Sequence, residues 1–176
     1  MGVWAMWRRV VVGMAVCVAG GLTLASSPAI GAGPRITAVT FSGSQAHPVI
    51  TIVGSGFGDR PSPDPGYHPP WPTHRLCPVR PTKPLADYGL DYGTHLFLTD
   101  STQHPGWAAG RYRPAIGELD CIGLLITQYT PTKIVYQLGA AYPNVPTAPA
   151  KYALAAGDSY VVGVNGATFS GRVRYS

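Results

Sequence analysis

One short stretch does most to limit what this chain can become. Pro48 to Gly58 reads Pro-Val-Ile-Thr-Ile-Val-Gly-Ser-Gly-Phe-Gly. Its first half sets Ile50 and Ile52 against Thr51 and Val53, the period-two, β-branched composition of a strand half buried against a core. Its second half stops that strand. Gly54, Gly56 and Gly58 accept backbone angles that other residues avoid, and Phe57 between them offers an apolar ring to fold back under the sheet. The stretch therefore reads as a strand that ends in a tight, anchored turn.

The rest of the chain supplies partners for such a strand. Arg35 to Phe41 alternates, with Thr37, Val39 and Phe41 on one face and Ile36, Ala38 and Thr40 on the other. Ser42 to His47 is small and polar, so the two strands form a hairpin or lie as neighbours across a sandwich. Asp87 to Gly93 repeats Asp-Tyr-Gly-Leu-Asp-Tyr-Gly, which is turn chemistry. Thr94 to Leu98 alternates enough for a strand, and Asp100 to Arg113 returns to turn composition around Trp107. The last third carries four apolar or alternating runs: Cys121 to Gln128, Lys133 to Leu138, Ser159 to Val164 and Thr168 to Tyr175. Asn165-Gly166 between the last two is the strongest short hairpin signal and predicts a terminal hairpin over Val161 to Tyr175. Many strands, many turns and no convincing helix give an all-β fold, a two-sheet sandwich.

Residues 1–32 carry the features of an address. Arg8 and Arg9 precede a 15-residue apolar run from Val10 to Leu24, and small residues follow to Gly33. A charged start, a short apolar middle and a small-residue end are the parts of a secretory signal peptide, and the run falls short of the roughly 20 residues a spanning helix needs. Contact with a membrane is then limited to this transient segment. A single arginine pair is a weak twin-arginine signal, and Cys17 sits mid-run after Val16, a poor place for lipidation. Without Arg8 and Arg9 the 13 Lys and Arg residues fall to 11 against eight acids, a net charge of +3. The remaining basic residues are scattered, so nothing points to nucleic acid. Residues 33–176 suit one domain.

From Asp59 to Pro84 the composition changes, with nine of the 18 prolines in 26 residues. Such a run cannot sustain a ladder and reads as a loop or insertion. Two cysteines outlast the leader, Cys77 and Cys121, and in an exported protein they are expected to pair. On the chain-entropy account that link stabilises the fold by roughly 4 kcal/mol. It would tie the proline-rich segment to the body. Tyr67 and Trp71 in the insertion, with Tyr92 and Trp107 beyond them, are the candidate binding residues.

Pro34-Arg35-Ile36, the stretch from Ile50 to Gly58, Thr130 to Tyr136 and Tyr160-Val161-Val162-Gly163-Val164 together resemble the IPT/TIG family of immunoglobulin-like domains. The likeness covers Pro34 to Asp59 and Thr130 to Tyr175 and is similar to that of secreted actinobacterial proteins. It implies an immunoglobulin-like β-sandwich interrupted by the 60–117 insertion, and it carries over no catalytic residue.

Chemistry finds little support in the residues themselves. Glu118 is the single glutamate, and no Gly-x-Ser-x-Gly elbow, Cys-His signature or His-Glu-x-x-His run occurs. Gly54 to Gly58 lacks the Lys and the helix of a phosphate cradle. His47, His68, His74, His95 and His104 have no ligand spacing, and Asp87 with Asp91 lacks the further oxygens of a calcium loop. No metal or cofactor is expected. If Tyr67, Trp71, Tyr92 and Trp107 share a face, they offer a platform for sugar rings or for a protein partner's hot spot. The expectation is a secreted, non-enzymatic binding module for an extracellular carbohydrate or protein, in the medium or associated with the cell wall. The alternative is a secreted hydrolase whose site is assembled from scattered His and Asp residues.

Overall fold

Among the described residues the regular structure is nine strands and one short 3-10 turn. The structure is a computed structural model that describes residues 33–64, 83–102, 106–111, 119–142 and 153–176, with the backbone alone at Leu85 and 119–121. These residues belong to one unit, Gly31–Ser176. The leader, Tyr67, Trp71 and Cys77 lie outside the described residues.

Strand β1 (Arg35–Ser44) and β2 (His47–Ser55) form an antiparallel hairpin, with Ser44 opposite His47. Ile50 and Ile52 are fully buried, as the alternation requires. The face assignment in β1 differs from expectation. Ile36 and Phe41 are both buried although five residues apart, because the register shifts between Ile36 and Ala38. Thr37 is the extra residue of a β-bulge, and its Oγ1 donates to the Val53 carbonyl at 3.1 Å. The bulge turns Ile36 to the same side as Phe41.

The first sheet runs β1-β2-β7-β6, with β6 at Leu124–Tyr129 and β7 at Lys133–Leu138. The second runs β5-β4-β3-β8-β9, with β3 at Leu96–Asp100, β4 at Trp107–Ala109, β5 at Leu119–Ile122, β8 at Ser159–Val164 and β9 at Ala167–Arg172. All pairings are antiparallel except β4 with β5. The expected single strand over Cys121 to Gln128 is two strands in different sheets. It breaks at Gly123, where the chain crosses from one layer to the other. Trp107, read as part of a turn, lies in β4.

Between the layers, Ile36, Phe41, Ile50, Ile52, Ile134 and Tyr136 of the first sheet meet Leu96, Leu98, Tyr160, Val162 and Val164 of the second. Phe41 and Tyr160 touch edge to face, their ring centroids 4.8 Å apart. Each of these side chains contributes about 1.5–3 kcal/mol through the apolar surface it removes from water. The sandwich itself is thus the main source of stability.

Asp100 is one of the ionisable groups enclosed by the fold, with Asp91 and Arg111. Asp100 is buried at the end of β3, its Oδ1 accepting from the Thr102 N–H at 2.8 Å and its Oδ2 from the Trp107 indole N–H at 3.1 Å. Loss of hydration outweighs those bonds and raises its pKa above the ordinary 3.8, with Asp158 adding to the rise. The folded chain then holds a proton here more tightly than the unfolded one, so this stability is present at low pH and lost as pH climbs through the raised value. Asp100→Asn is expected to remove the part of the denaturation midpoint that rises as pH is lowered from neutrality toward the ordinary carboxylate range. The same pH dependence in both proteins would show that Asp100 does not carry a raised pKa in the folded chain.

Candidate functional site

Several connections meet at one end of the sandwich. There β2 leaves toward Asp59–Asp64, Tyr92–His95 leads into β3, β4 ends before Arg111, and β8 turns into β9 at Asn165. Their residues line an open cleft of about 700 Å³. Its polar groups are Asp59, Ser62, Asp64, Thr94, His95, Arg111 and Asn165, with Pro61, Pro63 and Tyr92 as apolar walls.

The anchored turn predicted at Gly54 to Gly58 positions one wall. Phe57 is fully buried, and its N–H donates to the Pro131 carbonyl at 3.0 Å. Gly54 makes room for it: a β-carbon there would stand 2.6 Å from Cζ of the Phe57 ring. The chain therefore emerges from the turn held in place, and Asp59 to Asp64 follow directly.

A second wall is the β8–β9 turn. Asn165 and Gly166 have φ of 46° and 93°, the left-handed pair of a two-residue hairpin turn. The Asn165 side chain then reaches across the sandwich. Its Nδ2 donates to the Phe57 carbonyl at 2.7 Å, while its Oδ1 lies 3.1 Å from His95 Nδ1. Tyr129 donates its hydroxyl to the same Phe57 carbonyl at 3.1 Å, and burial pushes that phenol above its ordinary pKa of 10.0, so it remains a neutral donor.

Tyr92 and Arg111 form the inner part. Arg60 donates to the Tyr92 hydroxyl at 2.6 Å and sets its guanidinium 5.7 Å from the ring centroid. Arg111 is buried with its guanidinium 4.2 Å from the centroid of Phe97. Carboxylates therefore stand at the mouth and a buried guanidinium inside, an arrangement suited to hydrogen-bonding a polar ligand rather than to burying an apolar one.

Two of the four candidate platform residues are turned inward. Tyr92 is 1 % exposed and Trp107 fully buried, so neither presents its face to solvent. Trp107 is held inward by its bond to Asp100 and by the Tyr142 ring 5.7 Å away. Tyr92 keeps a place at the cleft as a wall, and nothing is described for Tyr67 and Trp71. Cys121 is described by its backbone in β5, and no disulfide is present among the described residues. Of the described histidines, His47 and His95, the second reaches the cleft together with Asp59 and Asp64. Sequence reading did not single out Asp59, Asp64, Arg111 or Asn165 as site residues. Only Asn165 carried a signal, and it was a signal for a turn.

A second groove, of about 510 Å³, runs beside β6 and is lined mainly by Ala86, Leu90, Leu124, Leu125 and Ile126. Among the described residues no group of three or more His, Cys, Asp or Glu is arranged to hold a metal ion, and no helix is long and apolar enough to cross a membrane. No protein-family model, curated protein or solved structure matches the chain. The class that fold and site define is a two-sheet β-sandwich with a polar cleft at one end.

Proposed function

We propose that this chain is a secreted, non-enzymatic binding module, an immunoglobulin-like domain of the IPT/TIG kind, whose ligand is an extracellular carbohydrate held in the end cleft. The single observation that carries the reading is where the cleft lies. The strand orders β1-β2-β7-β6 and β4-β3-β8-β9 correspond in sequence to A-B-E-D and C′-C-F-G of immunoglobulin sandwiches. On that correspondence Asp59–Asp64 and Tyr92–His95 belong to the B–C connection and Asn165 to the F–G turn. These are connections that antibody variable domains use to bind, an analogy of fold that the polar lining makes specific. A concave, acceptor-rich cleft favours saccharide hydroxyls over a flat protein epitope.

Export by residues 1–32 and a Cys77–Cys121 bridge complete the proposal, and intact mass with and without reductant reports both. Saturable binding of cellotetraose or chitotetraose to the exported protein, weakened about tenfold by Asp59→Asn, is the expected result. Retention of a specific protein in the presence of either sugar would instead favour a protein ligand. The hydrolase reading draws on Asp59, Asp64 and His95 sharing the cleft. Release of reducing ends by the wild type, abolished in Asp64→Asn, would replace binding with catalysis.

A further inference from the structure

Phe57 and His95 stand at the two ends of the β2–β3 connection and Asn165 in the β8–β9 turn, and one run of hydrogen bonds joins them. Asn165 faces the Phe57 carbonyl oxygen at 2.7 Å. A carbonyl only accepts, so the group facing it is the amide NH2, and Oδ1 is the atom left for His95 Nδ1 at 3.1 Å. Oδ1 also only accepts. Nδ1 of His95 must therefore carry a proton, and a neutral imidazole protonated there keeps its lone pair on Nε2.

The Asn165 amide cannot turn over without setting its oxygen against the Phe57 oxygen. Further contacts hold it on the side away from the cleft. The Phe57 ring is buried, the Asn165 N–H donates to the His95 carbonyl at 2.9 Å, and Tyr129 lies 3.4 Å from Nδ2. None of this is needed to make the turn, which glycine at position 165 would make with less strain.

We propose that Asn165 is a positioning residue that fixes His95 in the Nδ1–H tautomer, so that Nε2 enters the cleft as a neutral acceptor for a saccharide hydroxyl. The ligand class rests on the binding function proposed above; the tautomer does not. His95 is exposed and shares the cleft with Asp59 and Asp64 from the β2–β3 connection and with Arg111 from beyond β4. Free imidazole favours the other tautomer and would present a donor. With Nε2 as an acceptor beside two carboxylates, the mouth of the cleft matches a ligand whose outer groups donate, as those of a polyol do.

The test is the long-range ¹⁵N–¹H imidazole spectrum of the exported protein at about pH 8, above the ordinary imidazole range. His95 is expected to show the Nδ1–H pattern in the wild type and the Nε2–H pattern in Asn165→Gly. Glycine tolerates the left-handed turn, so a folded amide spectrum is expected from that variant. Addition of cellotetraose or chitotetraose should shift the Nε2 resonance upfield, and His95→Phe should weaken binding about tenfold. An Nε2–H pattern in the wild type, or an Nδ1–H pattern that survives Asn165→Gly, overturns the positioning role. An Nε2 resonance that stays still while the Thr94 and Gly166 amides respond to sugar overturns the acceptor role. Should neither saccharide perturb any cleft residue, the proposed function falls and takes the ligand of Nε2 with it, while the tautomer is decided by the first spectra.

Discussion

Trp107→Ala is expected to destabilise the fold by about 4 kcal/mol or more, enough to leave many domains of this size largely unfolded. Two losses combine. Removing the largest fully buried side chain opens a cavity beside Tyr142, and transfer plus cavity terms for such a change run to about 3–5 kcal/mol. Asp100 also loses the donor at Oδ2 while remaining enclosed, which adds a penalty of about 1–3 kcal/mol. Trp107→Phe separates the two, since it keeps most of the ring volume and deletes only the N–H. Its expected cost is about 2 kcal/mol, and it should raise the Asp100 pKa further. Urea denaturation measures both. A Trp107→Ala protein with the wild-type midpoint would return Trp107 to the exposed role that its sequence context suggested.

That context explains where sequence reading succeeds and where it stops. The runs at Pro48–Val53, Lys133–Leu138 and Ser159–Val164 are strands because alternation is a local signal, and Asn165-Gly166 is a hairpin turn because its dihedral requirement is local too. Phe57 under its sheet is likewise set by the glycines on either side. Trp107 misled because Gly106 and Gly110 mark turns, whereas its partner Asp100 faces it across the β3–β4 ladder. Thr37 looks like an ordinary strand residue, yet as a bulge it reverses the face of Ile36. The cleft was the least legible part. Asp59, His95 and Asn165 lie up to 106 positions apart, and only the meeting of the two sheets' connections brings them together.

Gly139→Ala should also destabilise strongly, by about 3 kcal/mol, and for a different reason. A β-carbon at Gly139 would overlap the backbone carbonyl of Tyr88, and one at Gly123 would stand 2.5 Å from that same oxygen. Gly89 in turn lies against Gly123, at 2.8 Å from its carbonyl carbon to a β-carbon built on Gly89. Three glycines thus let three backbones touch where the chain crosses between sheets. Hydrogen bonds lock the contact: Gly139 N–H to Gly123 O at 2.8 Å, Ala140 N–H to Asp87 O at 2.8 Å, and the Leu90–Leu124 pair at 2.9 and 3.1 Å. The obstruction at Gly139 is backbone on every side, so no rotamer change relieves it, and relief requires breaking these bonds. Gly58→Ala is the control. Gly58 has φ of 69° with nothing within 4 Å of a β-carbon, so it pays only left-handed strain of about 1–2 kcal/mol. A midpoint shift for Gly139→Ala no larger than that of Gly58→Ala would mean that the three backbones stand farther apart than described. The larger shift would place the crossover at Gly123, rather than either sheet alone, among the contacts that bind the two layers into one body.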